Sequence, residues 1–178
     1  MSCIAELYFS NLTNVPGAGE LDPSSPCLQS PSYQIPALWL ALFEPNDLLD
    51  VRRGDDDESF PYAVKRRTDA ILALARRSEV LKQALPSLRP EWLQHFQAVL
   101  ESASLEYVHM ETSDIGQMAG SWDEWKESLV SMLAPLVKPN PEDLQSWADA
   151  VLPEESRDMP WSYCGSGGDE PMPWEDDA

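Results

Sequence analysis

The chain has 178 residues, 43% of them apolar and seven of them tryptophan, which is enough for one folded core and too apolar for a wholly disordered acidic chain. Its 31 acids against 12 bases leave a net charge of −19, which repels nucleic-acid phosphates and anionic membranes and speeds encounter with a basic partner. Three scattered cysteines without a CxxC, no apolar run of membrane-spanning length and an N-terminus without a basic region point away from a disulfide scaffold, a membrane protein and a secretory signal, and toward the cytoplasm.

The charge is uneven: ten acids and two bases over residues 1–64, five and seven over 65–110, sixteen and three over 111–178. In chain order, "AELYFSN" is rich in β-formers and ends in polar residues, so it reads as a first strand. Residues 13–32 are dense in Pro, Ser and Gly and predict a long loop, a length that implies a role or mobility. In "IPALWLALFEP", Pro36 suits a first helical turn and Pro45 ends the run. Residues 37–43 are apolar on every side, which predicts a buried helix. "DLLDVRR" reads as a short strand or as the end of that helical region.

From Pro61 to Leu85 the spacing is helical. Ile71, Leu74, Ala75, Leu81 and Leu85 form the stripe, with Arg66, Arg67, Arg76, Arg77 and Lys82 largely off it. Pro90 opens a second amphipathic helix with Trp92, Leu93, Phe96, Val99 and Leu100 inward. "LEYVHME", residues 105–111, reads as a strand able to pair with the first one. Ser121 and Glu124 have capping-box spacing before a helix whose apolar face is Trp122, Trp125, Leu129, Met132, Leu133 and Leu136. Asn140 and Pro141 start the next helix, with Leu144, Trp147, Ala148 and Val151 as its face. The expected fold is α+β and mainly helical, with helices packed on a small antiparallel sheet. Residues 1–152 form the domain, and 153–178 an extended acidic tail carrying Trp161 and Trp174 in two "MPW" tripeptides.

The candidate chemistry is sparse. "VRRGDDDESF" places Asp55, Asp56, Asp57 and Glu58 in a row, but a calcium loop begun at Asp55 would put Ser59, Phe60 and Arg66 where an acid, Gly and Glu belong. A solvated or partner-facing acidic loop fits better. His95 and His109 lie outside any metal-ligand spacing and read as residues at the edge of the core. "CGSGGDE" has no P-loop lysine and reads as a linker, and "KRR" at 65–67 reads as salt-bridging surface. No catalytic residue, cofactor or metal site is expected.

At "ELYFSN", "YQIPALWLALF" and "YVHMET" the chain resembles a family of small uncharacterised bacterial cytosolic proteins, of a kind similar to the immunity proteins of toxin systems. The resemblance covers about the first two-thirds of the chain and implies no catalytic residue. The expectation is a non-enzymatic binding protein that occludes a basic toxin domain. Asp55, Asp56, Asp57 and Glu58 would steer the partner, Trp161 and Trp174 would anchor it, and nucleic acid and membrane play no part. The alternatives are an enzyme built on His95 or His109 with nearby carboxylates, or an assembly adaptor whose tail orders on binding.

Overall fold

A computed structural model describes residues 4–16, 20, 25–31, 33–52, 58–167 and 171–175. Among them six strands form one antiparallel sheet: β1 (Glu6–Ser10), β2 (Cys27–Gln29), β3 (Leu48–Val51), β4 (Phe60–Arg66), β5 (Tyr107–Glu111) and β6 (Ser166–Gly167), in the order β3-β4-β5-β1-β2-β6. The expected partnership of the first strand with residues 105–111 is present: Tyr8 faces His109 and Phe9 faces Val108 across β1 and β5. The helices are α1 (Ala37–Leu40), α2 (Arg67–Ala84), α3 (Pro90–Ser102), α4 (Ser113–Gly116), α5 (Trp122–Val137), α6 (Pro141–Val151) and α7 (Pro160–Cys164). The architecture is α+β, as the sequence pattern implies.

Alternation along the strands gives the sheet two buried faces. Leu7, Phe9, Ala63, Val108 and Met110 join the main core with the helices. Tyr8, Phe60 and Tyr62 form a smaller cluster on the other side, against Val15, Val51, Val64 and Trp122.

The main core is organised around the uniformly apolar stretch. Ala37 through Phe43 are all buried. The helix expected there is only one turn long. After it the chain bends, and the carbonyls of Ala41 and Phe43 accept from Arg77 Nη1 at 2.8 and 2.7 Å. Arg77 also pairs with Glu44 at 2.9 Å and is only 6% exposed, so it is not a surface residue of its helix. Burial lowers its pKa from the ordinary arginine value, and the carboxylates of Glu44 and Asp47 pull it back up.

Three further expectations change. Residues 60–66 are strand rather than the start of a helix, because Phe60, Tyr62 and Val64 alternate with Pro61, Ala63 and Lys65 across the two faces. The loop 13–32 contains β2, and the ambiguous "DLLDVRR" resolves into β3. The segment after residue 152 is not an accessory tail over its described part. Trp39 Nε1 donates to the Cys164 carbonyl at 2.8 Å, and Trp174 Nε1 to the Gly165 carbonyl at 2.7 Å. Gly165 has φ +82°, and a Cβ there would lie 2.5 Å from Trp39 Cζ2, so both its backbone and its neighbour require glycine. "CGSGG" is therefore ordered through residue 167, with Ser166 and Gly167 hydrogen-bonded onto β2.

The capping at Ser121 is present, its hydroxyl accepting from the Glu124 amide at 3.2 Å, as is that at Asn140, whose side chain accepts from Glu142. In "KRR", Lys65 pairs with Asp47 at 2.9 Å, Arg66 with Glu106 at 3.6 Å, and Arg67 donates to the carbonyls that end α3, Leu100 and Glu101, and to Leu105. Among the described residues no helix is long and apolar enough to cross a membrane.

Truncation of Trp174 to alanine is expected to lower unfolding free energy by about 3–5 kcal/mol, the usual range for emptying a buried tryptophan site. Urea denaturation measures it, and a loss under about 0.5 kcal/mol, the usual effect of a surface substitution, would show a merely attached tail.

Candidate functional site

Two places bring polar groups together. The first is the second face of the sheet. The strand registers set His109 on β5 between Tyr8 on β1 and Val64 on β4. His109 Nδ1 lies 2.8 Å from the Tyr62 hydroxyl, Nε2 lies 2.8 Å from Ser10 Oγ, and the Tyr62 hydroxyl is hydrogen-bonded to that of Tyr8. The Tyr8 ring stacks on the imidazole at 5.1 Å with 5° between planes. The Leu12 amide donates to Ser10 Oγ at 2.9 Å, which closes the chain. A neutral imidazole satisfies both ring contacts, one nitrogen donating and the other accepting.

His109 is 0% exposed, and its pKa is pulled from 6.5 down to about 4, chiefly by desolvation, with the Leu12 backbone acting in the opposite direction. Its ring nitrogens bond hydroxyls, not carboxylates. Such a satisfied, dry network fixes the register of three strands. The expected place of His109 at the core edge becomes a place inside the core. His95, by contrast, is half-buried on α3.

The second place is a groove of about 640 Å³ beside the acidic stretch. Glu58, Ser59, Gln117, Gly120, Ser121 and Asp123 line it, and Trp122 forms a wall. The sequence builds it from a small-residue turn. A Cβ on Gly116 would sit 2.5 Å from Trp125 Cδ1 and 2.7 Å from Trp122 Cζ3, so the bare backbone of α4 lets both indoles close against it. Trp122 then packs on Phe60 at 5.8 Å and donates through Nε1 to Glu58 Oε2 at 3.1 Å. Met118 stands 64% exposed on the turn between α4 and α5. The groove is an anionic concavity with an aromatic wall, a surface suited to a cationic side chain.

Of the expected partner-facing residues, Asp55, Asp56 and Asp57 lie outside the described residues. Glu58 is exposed at the groove, fixed by Trp122. Trp161 is half-buried on α7. Trp174 is 0% exposed and cannot serve as a surface anchor, because its indole fills the core against Phe96. The groove was not foreseen, and His109, considered as an alternative site with nearby carboxylates, instead bonds the hydroxyls of Ser10 and Tyr62 in a network that was not foreseen. The alternation of Tyr8, Ser10, Tyr62 and His109 along strands could have revealed the latter once residues 60–66 were read as strand. Among the described residues no group of three or more His, Cys, Asp and Glu is placed to hold a metal ion.

No protein-family model, curated protein or solved structure matches this chain. The site is therefore read from its own chemistry.

Because His109 binds protons less readily folded than unfolded, its contribution to stability is full above pH 6.5 and is lost as pH falls from 6.5 to about 4. The loss attributable to this one group is about 3 kcal/mol. Urea unfolding at pH 7 and pH 4 should show that much less acid sensitivity in His109→Gln than in the parent; parallel losses would contradict a neutral buried imidazole.

Proposed function

We propose that this chain is a non-enzymatic acidic binding protein, in its concrete form an immunity protein that neutralises a cognate bacterial toxin by direct binding and occlusion in the cytoplasm. The observation that carries the reading is the anionic groove at Glu58, Trp122 and Asp123, set beside the acidic run in a chain of net charge −19. Surplus charge of one sign steers a basic domain at long range and is screened by salt. At contact, the Trp122 wall and Met118 supply the desolvated apolar area that holds a complex together, which exposed ion pairs alone do not. The half-buried Trp161 remains a further contact residue. The resemblance at "ELYFSN", "YQIPALWLALF" and "YVHMET" supports the same reading.

Occlusion is stoichiometric. Titrating the purified chain into a toxin domain captured with it from its native host at low salt should abolish toxicity at one-to-one, whereas protection at a hundredth of that ratio would indicate turnover, and capture of no toxin domain would equally contradict the proposal. Within that complex, the change Asp55→Asn, Asp56→Asn, Asp57→Asn with Glu58→Gln should slow association about tenfold at low salt and flatten its salt dependence. Unchanged association kinetics would remove this stretch from the steering surface.

A further inference from the structure

The edge of the sheet next to the groove has a feature that the backbone pairing makes explicit. Among the described residues β3 is the outermost strand on that side and pairs with β4 alone. Which of its backbone groups face outward follows from one bond and the two strand registers. The Arg67 amide donates to the Glu106 carbonyl at 2.8 Å, continuing the β4–β5 register in which Lys65 faces Val108 and Ala63 faces Met110. Odd-numbered residues of β4 therefore direct their N–H and C=O groups to β5, and Phe60 and Tyr62 direct theirs to β3. Pro61, which has no N–H, accordingly sits where β3 asks nothing of it.

Across the pair, Leu49 and Val51 are then the residues bonded to Tyr62 and Phe60, and Leu48 and Asp50 point outward. The Leu48 amide is already used by the Pro45 carbonyl. The outer edge thus offers the Leu48 carbonyl and both the N–H and C=O of Asp50. Among the described residues no backbone hydrogen bond crosses this edge. Leu49 is 40% exposed beside it, an apolar side chain open to a neighbouring strand.

An open edge is a template for another chain, and charge decides which chain it takes. A second copy would bring −19 against −19. The Asp50 carboxylate is paired with Lys126 at 2.6 Å, so the two charges largely cancel at the edge, while Glu58 and Asp123 stand exposed at the groove beyond the strand's end and favour a basic chain. We infer that β3 accepts an extended basic segment of the partner by strand addition, with main-chain bonds to Leu48 and Asp50, a side chain against Leu49, and a Lys or Arg reaching the groove at Glu58 and Asp123. This rests on the binding reading above and names where and how that partner is held.

The test uses the full chain labelled with ¹⁵N and an alternating Lys–Val decapeptide at low salt. Saturating peptide should shift the Asp50 amide and slow its hydrogen exchange at least tenfold. Asp50→Pro removes an outward N–H, which an edge strand tolerates, together with the Lys126 ion pair, and should weaken binding about tenfold, whereas Asp50→Ala loses the same ion pair but keeps the donor and should stay within about threefold. If the proline variant does not fold, the same decapeptide N-methylated at alternate residues replaces it and should lose binding in one of its two registers. Shifts confined to Glu58, Trp122 and Asp123, or equal binding by both variants, overturn strand addition while leaving acidic partner binding intact. Absence of any peptide-induced shift also overturns it, with the toxin titration then judging the broader reading by itself.

Discussion

The structure depends on burying Trp39 and the six apolar residues around it on every side. A segment from Ala37 to Phe43 with no polar face cannot lie on a surface, so other parts of the chain must close around it. Arg77 supplies what the short helix lacks at its end, accepting the cost of burial so that two carbonyls and Glu44 are satisfied together. The C-terminal segment supplies the lid: Gly165 passes under the Trp39 ring where no side chain fits, and Trp174 then locks to its carbonyl. The first helix, α2 and the end of the chain are thereby joined into one core.

The sheet divides the protein's roles. Its first face is conventional core. Its second face holds the Tyr8, Tyr62, His109 and Ser10 network, in which each hydroxyl and ring nitrogen has a partner and the imidazole is kept neutral by its dry surroundings. That arrangement favours a single register, since a one-residue slip would break every bond in it. At the rim lie an anionic groove against α5 and, next to it, a strand edge that is unpaired among the described residues.

Much of this was legible in the sequence where local chemistry decides the outcome. Capping at Ser121 and Asn140, the amphipathic stripes of α3, α5 and α6, and the strand at Tyr107–Glu111 follow from spacing alone. The failures share one cause. Phe60–Arg66, Arg77, Trp174 and β6 take their state from partners distant in the chain, Trp174 from Phe96, and nothing near them in sequence announces it. Acidic composition around Trp174 suggests a tail, yet a single buried indole outweighs several solvated carboxylates, which remain in water either way. The acidic run at 55–57 lies outside the described residues, while the groove beside Glu58 required Gly116 and Trp122 to meet.

Native-state hydrogen exchange of the free full-length chain tests the central claim most directly. The Gly165 amide, bonded to the Trp161 carbonyl, and the Trp174 indole N–H should exchange only through global unfolding, with protection within about 1 kcal/mol of the β1 and β5 amides. Exchange of these two groups at the rate of an unstructured peptide, while β1 and β5 stay protected, would show that the core closes without the C-terminal segment and would contradict the account.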